Sequence, residues 1–505
     1  MIVRRALASL PAVACLGIAA LLAGCGAQSD GTVEVAVIGN EAEVFADGVR
    51  LSPGGQLARS AVDSGLVAFD AAGEVVPALA ERWIVTDDGL SFIFRLREGT
   101  WPDGSEITAV TAREALESAM RDLDGTSLGR DLSAVAEVRA MAGRVIEIRL
   151  AHPEPYLLQL LAQPELALRP QGDDSESGGT GPMTLAREEN GVARYAYKPP
   201  SARGLPFDED WQDGVQDLDL RVTDARQAIA MFDQGAVDVV LGGTLGDLPL
   251  VETGPLSSGT LRIDSTFGLF GMLVRRDAGL LANTGVREGL AMAIDRAEVI
   301  EQFNIGGWTA TTRPVSPGLP GDPGLVAERW EGQIIADRRA EAAARVAAWR
   351  RQFDPGDLTQ PARLTLYLDE GPGWDLLLAN LAGQLRIVGV DLVRAPSRDE
   401  ADMVLIDRVA RFPAPRWFLG QFACPLRVGL CSETVDTMVA DAVTQPDPVI
   451  RASLMAQAEA ELTLANVFIP IGSPLRWSLV RGRVGGFTPN PYAFHPLPPL
   501  AEIAR

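Results

Sequence analysis

A chain of 505 residues, 47% of them apolar, is too long to close around one hydrophobic core. Single cores stop growing near about 250–300 residues, so the chain is expected to divide into two or three domains. Charge narrows the class further. The formal net charge is −22; such a surface repels phosphate backbones, so nucleic acid is excluded as a partner. Lys198 is the only lysine, and arginine supplies every other fixed side-chain cation. A single arginine is therefore weak evidence of function in this chain. The two histidines, His152 and His495, lie far apart, and no run of His and Cys has the spacing of a metal site. No cofactor is expected.

The first residues speak to compartment. Arg4 and Arg5 precede an apolar run from Ala6 to Leu22, which ends in Leu22-Ala23-Gly24-Cys25 and passes at once to polar Gln28, Ser29 and Asp30. A positive start, a short apolar segment and a small-residue exit describe an export signal; Pro11 inside the run argues against a spanning helix. The tetrapeptide resembles the lipobox of bacterial lipoproteins. That resemblance implies removal of residues 1–24, acylation of Cys25, and a protein held in the periplasmic space by several lipid chains. An ordinary cleaved signal with an incidental cysteine is the alternative. Export also bears on Cys424 and Cys431, close together in "QFACPLRVGLCSETVD": in an oxidising compartment a small disulfide loop is the natural reading.

Further on, "VEVAVIG" alternates and reads as a first strand. "ALAERW" reads as a short helix, and "IVTDDGLSFIFRLR" as a hairpin turned by Asp88-Gly89. "TWPDGSEIT" supplies a second turn. "TAREALESAM" is expected to be a helix capped by Thr111, with Glu114 completing a capping box.

These residues, in this order, resemble the family 5 extracellular solute-binding proteins, the dipeptide, oligopeptide and nickel receptors of ABC importers. The matching positions are Pro77, Leu79-Ala80, Trp83, Asp87-Asp88-Gly89, Phe92, Phe94, Leu96-Arg97, Gly99, Asp103-Gly104 and Thr111. The likeness continues through "GGTGPMTL" ending at Leu185 and "ARQAIAMFDQGAVDVVLG" with Gly235 and Asp238. It then runs through "VREGLAMAIDR" with Arg287 and Ala293-Ile294-Asp295-Arg296, "PVSPGLPG", "GQLRIVGVDLV", "CSETVDTMVADA" and "FIPIGSP". Each motif is weak alone; their shared order over about residues 33–490 is specific. Most belong to scaffold: Trp83 and Phe94 read as core, and Asp295 and Arg296 as a local ion pair.

The resemblance implies an α/β fold of the periplasmic-binding-protein type II class, two large lobes on a hinge with a smaller α/β lobe inserted. On that pattern residues 25–50 hold the tether and the start of lobe I, and 51–179 the inserted lobe II. Lobe I resumes at 180–268, lobe III takes 269–469, and 470–505 return to lobe I. The implied function is capture of a peptide-like or other small solute between closing lobes, and its delivery to an ABC permease with its ATPase. The protein is expected to act as a monomer and not as an enzyme.

Peptide-binding members hold the free amino terminus with an aspartate in a segment like A-D-Y-x-D-P. The corresponding text here is "VARFPAPRW", with Arg411 at the aspartate position and Phe412 beside it; Arg275 in "MLVRR" stands where an asparagine is common. Arg411, Phe412, Trp417, Arg275 and Phe270 are the candidate ligand-binding residues. A cation in place of the aspartate repels an ammonium group and suits an anionic or amino-blocked ligand; the other reading has Arg411 pointing to solvent. Two further classes stay open. A sensor lipoprotein on the same fold needs no permease. A hydrolase would have to use paired carboxylates, because histidine and lysine are so scarce. Nickel binding within the family finds no supporting His or Cys cluster in the sequence.

Overall fold

The computed structural model describes residues 31–169, 179–188, 191–251, 259–320, 322 and 324–503. The export signal and Cys25 lie outside them. Two large sheets organise the chain. The first has seven strands, with Thr32–Ile38 at its centre, parallel to Asp217–Thr223 on one side and Val239–Thr244 on the other. Antiparallel strands Met183–Arg187 and Ala193–Tyr197 extend one edge; Leu475–Val480 and Leu261–Ser265 extend the other. Helix Pro53–Val62, capped by the Ser52 hydroxyl, lays Leu57, Ala58 and Ala61 on this sheet. The amphipathic spacing of those three residues accounts for the contact.

The second sheet has five strands, in the spatial order Val390–Arg394, Ala362–Tyr367, Met403–Val409, Gly268–Val274 and Phe468–Gly472. Only two short crossovers join it to the first sheet, Ser265 to Gly268 and Gly472 to Leu475, and they run side by side. Thr266 Oγ1 donates across them to the Pro474 carbonyl, and Trp308 Nε1 donates to Ser473 O at 2.7 Å. Two neighbouring strands of chain are the physical form of a hinge.

A third unit is the four-stranded antiparallel sheet of Ala80–Val85, Ser91–Leu96, Val145–Leu150 and Val135–Met141, covered by helix Ala109–Asp122. Its apolar core is continuous with that of the five-stranded lobe: Phe94, Leu116 and Ile148 belong to one cluster with Phe412, Trp417 and Phe418. Glycines let the chain re-enter the first lobe. A Cβ on Gly181 would stand 2.4 Å from the Val62 carbonyl carbon, and the Gly181 N–H instead donates to Val62 O at 2.7 Å.

Three local expectations need correction. "ALAERW" is not helical: Ala80–Val85 is a strand paired with Ser91–Leu96, because cross-strand pairing overrides weak helix propensity. The cap of the following helix is Thr108, not Thr111. Thr111 is its reciprocal partner at the third helical position, accepting from the Thr108 N–H at 3.0 Å and from Trp101 Nε1 at 3.1 Å. Asp295 and Arg296 form no ion pair with each other. Asp295 caps helix Arg296–Glu301, while the buried Arg296 donates to the carbonyls of Pro470, Ala291 and Ile294. The expected loop disulfide is present, Cys424 to Cys431.

Candidate functional site

Between the lobes lies a cavity of about 530 Å³. Residues from every unit line it: Gly242 and Trp477 from the seven-stranded lobe, Gln163 and Glu165 from the inserted lobe, and Arg408 and Trp417 from the five-stranded lobe. That volume suits a small solute, and the mixture of aromatic walls with a few polar groups is typical of ligand sites.

Ion pairs across the cavity hold the lobes together. Arg411 Nη2 donates to Glu165 Oε1 at 2.8 Å, and its Nη1 to Gln163 Oε1 at 2.8 Å. Burial works against the charge on Glu165, but Arg411 and the hydrogen bond from Gln56 outweigh it and hold its pKa below the usual carboxylate value. Arg476 Nη1 reaches both carboxylate oxygens of Asp407, at 2.8 and 2.9 Å, so the seven-stranded lobe grips the five-stranded one. A third pair lies within the first lobe, where His495 Nε2 stands 3.1 Å from Asp264 Oδ2.

Of the candidates named from sequence, Arg411 and Trp417 line the cavity. Phe412 is fully buried beside it, its ring stacked on Tyr156 at 5.3 Å between centroids. Phe270 packs in the core against Trp308 and Trp374. Arg275 lies outside the lining; it donates to Val428 O and pairs with Asp399 at 3.6 Å. The cavity adds residues that sequence reasoning missed: Arg408, Asp407, Glu165, Arg476 and Trp477. Asp407 and Arg408 sit on the strand that leads into the "VARFPAPRW" segment, which is the one signal that pointed near them. Among the described residues no three His, Cys, Asp or Glu side chains converge as a metal site.

The same segment docks on the inserted lobe. Tyr156 OH donates to Pro413 O at 3.2 Å, and Arg416 pairs with buried Glu154 at 2.8 Å. Next to them Asp131 is 6% exposed, with Oδ2 lacking a hydrogen bond. Burial pushes its pKa up to about 7, with Arg416 and Arg411 pulling the other way. A carboxyl raised this way binds its proton in the folded chain after the unfolded chain has released it, so it stabilises the fold at low pH. That contribution is lost as pH rises from about 4 to about 7. Asp131→Asn is therefore expected to flatten the decline in stability over that window and to equal or exceed wild type at pH 7.5, read by urea unfolding at stepped pH. An unchanged slope would show that Asp131 ionises normally.

The Bacterial extracellular solute-binding proteins, family 5 Middle profile matches residues 74–425. The chain belongs to this family. Among its relatives is the "Probable di/tripeptide-binding protein 5" of Pseudomonas aeruginosa, 24% identical over 487 residues, covering 85% of this chain and 87% of that one. Among solved structures, OppA of Haemophilus influenzae in complex with the peptide RPPGFSPFR superposes with a TM-score of 0.80 at 18% identity, covering 94% of this chain and 99% of that one. The murein tripeptide binding protein MppA of Escherichia coli gives 0.78 at 18% identity, covering 94% and 99%. Its unliganded open form gives only 0.63 at the same identity, covering 94% and 98%. The fold is thus the type II periplasmic-binding architecture.

Proposed function

We propose that this protein is the substrate-binding component of an ABC importer, held outside the cytoplasm by a lipid on Cys25. It captures a small peptide-like or related solute between its lobes and hands it to a permease driven by an ATPase. One observation carries this reading: a cavity walled by all three units, crossed by the Arg476–Asp407 ion pair between two large lobes that are joined covalently by two adjacent crossovers. A ligand touching both walls favours the closed form by its differential affinity, and the permease reads that form. Relatives named for di- and tripeptide binding support the solute class. The protein works as a monomer and turns nothing over; its cavity acids Glu165 and Asp407 stand in ion pairs with Arg411 and Arg476, and Asp264 is hydrogen-bonded to His495, rather than forming a free acid–base pair. The lipid anchor rests on Leu22-Ala23-Gly24-Cys25.

The test has two arms. Deleting the protein from its cell is expected to abolish uptake of the solute released from the purified chain. Cys25→Ala is expected to leave the chain unacylated and in the soluble periplasmic fraction. Undiminished uptake, or acyl label retained by Cys25→Ala, would refute the corresponding half.

A further inference from the structure

The charges lining the cavity do not balance. Its three carboxylates are already engaged: Glu165 by Arg411, Asp407 by Arg476, and Asp264 by His495 and by the backbone N–H of Asn490 at 2.9 Å. Two cations remain. Arg408 lines the cavity, is solvent-accessible, and has one neutral hydrogen-bond partner, Gln421 Oε1 at 2.6 Å. Arg50 lines the cavity from the segment leading into helix Pro53–Val62, is exposed, and has no carboxylate partner among the described residues. In a protein of net charge −22, two unmatched guanidinium groups facing one cavity are not a general property of the surface.

We propose that the solute this cleft captures is a net anion, bearing a carboxylate or a phosphate and no free ammonium group, and that Arg408 and Arg50 receive it from the two lobes. This inference rests on the solute-capture reading above and adds the chemical class of the ligand. A guanidinium presents paired N–H donors that match either oxyanion. Arg408 arises from the five-stranded lobe, and Arg50 precedes a helix seated on the seven-stranded one. An anion between them would bridge both halves and so favour closure. The like charges of Arg411 and Arg398 lie near Arg408, and an incoming anion relieves that repulsion. A free ammonium, by contrast, finds no cavity carboxylate without an existing partner. The aromatic walls, Trp417, Trp477 and Phe69 among them, suit an organic body behind the charged group.

The experiment uses the purified full chain. Small molecules released on denaturation are identified by mass spectrometry. Thermal shift and calorimetry then compare N-acetyl-alanyl-alanine and phenyl phosphate, which are anions, with alanyl-alaninamide, a cation. We expect the released solute to be anionic at neutral pH and at least one anion probe to bind in preference to the amide. The better of the two anions tells carboxylate from phosphate. Arg408→Gln and Arg50→Gln are each expected to weaken that binding at least about tenfold, as loss of a charge-assisted hydrogen bond does. Arg408→Lys should restore part of it. Arg226→Gln, on the exposed face of helix Ala225–Asp233, should change nothing. Circular dichroism checks that each variant is folded. A released solute that is neutral or cationic, or tight binding untouched by Arg408→Gln and Arg50→Gln, overturns the oxyanion assignment and leaves solute capture standing. No released solute together with no response to any probe overturns both.

Discussion

Glu459→Ala is expected to lower the unfolding free energy by about 3–5 kcal/mol, the loss typical when one partner of a buried ion pair is removed. Arg313 is the buried cationic partner of Glu459. Its Nε and Nη2 donate to the two carboxylate oxygens of Glu459 at 2.9 and 3.0 Å, and its Nη1 donates to Asp322 Oδ2 at 2.9 Å. Arg313 is 6% exposed and Glu459 2%. Alanine would leave a guanidinium in the interior with a single remaining acid, and water cannot replace the lost bidentate contact without opening the packing. Asp391→Ala supplies the contrast. Asp391 pairs with Arg386, whose side chain is largely exposed, and solvent screening keeps such a pair below about 1 kcal/mol. The double change Arg313→Met with Glu459→Leu should recover most of the loss, because the cost lies in the stranded charge rather than in the missing attraction. Urea unfolding followed by tryptophan fluorescence measures all four chains. Glu459→Ala within about 1 kcal/mol of wild type would mean that the site is wetter than its burial implies.

What could be read from sequence follows the range of the interaction that decides it. The Asp88-Gly89 turn was legible because its chemistry is local: Asp88 Oδ1 accepts from Leu90 N at 3.0 Å, and Gly89 takes a φ of +67°. The strand Thr32–Ile38 was legible from its alternation, and the disulfide from compartment and spacing. The helix cap was misplaced by one turn because Thr108 and Thr111 are chemically equivalent. The extended backbone of Thr108 and its hydroxyl's bond from the Thr111 N–H show which of them is the cap, and Trp101 Nε1 fixes the Thr111 hydroxyl inside the first turn. The strand Ala80–Val85 was misread because its partner, and not its composition, makes it a strand. The site suffered most. Arg411 stands out in sequence only as a departure from the family's aspartate, and its meaning depends on Glu165, 246 residues away. Asp407 meets Arg476 across 69 residues, through the hinge. Arg408 is notable for lacking an acid partner, a property that no linear pattern records.

Gly373→Val is expected to push the two large lobes apart. Gly373 lies in the first turn of helix Pro372–Ile387, which packs on the five-stranded lobe, yet its N–H donates to Gly246 O of the seven-stranded lobe at 2.8 Å. A Cβ there would stand 1.9 Å from the Leu245 carbonyl oxygen. The obstacle is backbone on both sides, so no rotamer change relieves it; either the helix or the whole lobe must move by more than 1 Å, given ordinary contact distances of about 3.5 Å. Overpacking of this kind costs about 1–3 kcal/mol, and rotation about the hinge is the way out that leaves both sheets intact, because only two crossovers join them covalently. The strain would therefore fall on the closed form, stretching the Arg476–Asp407 contact between the two large lobes. X-ray scattering should report a larger radius of gyration for the variant. The best-binding probe should lose affinity about tenfold for each 1.4 kcal/mol of closed-state strain. Gly383→Ala in the same helix is the control: it is exposed, nothing lies within 4 Å of its added Cβ, and alanine is the better helix former by up to about 1 kcal/mol. If Gly373→Val keeps both the wild-type radius and the wild-type affinity, the lobes do not close on this contact. Closure would then have to be governed by the cavity ion pairs alone.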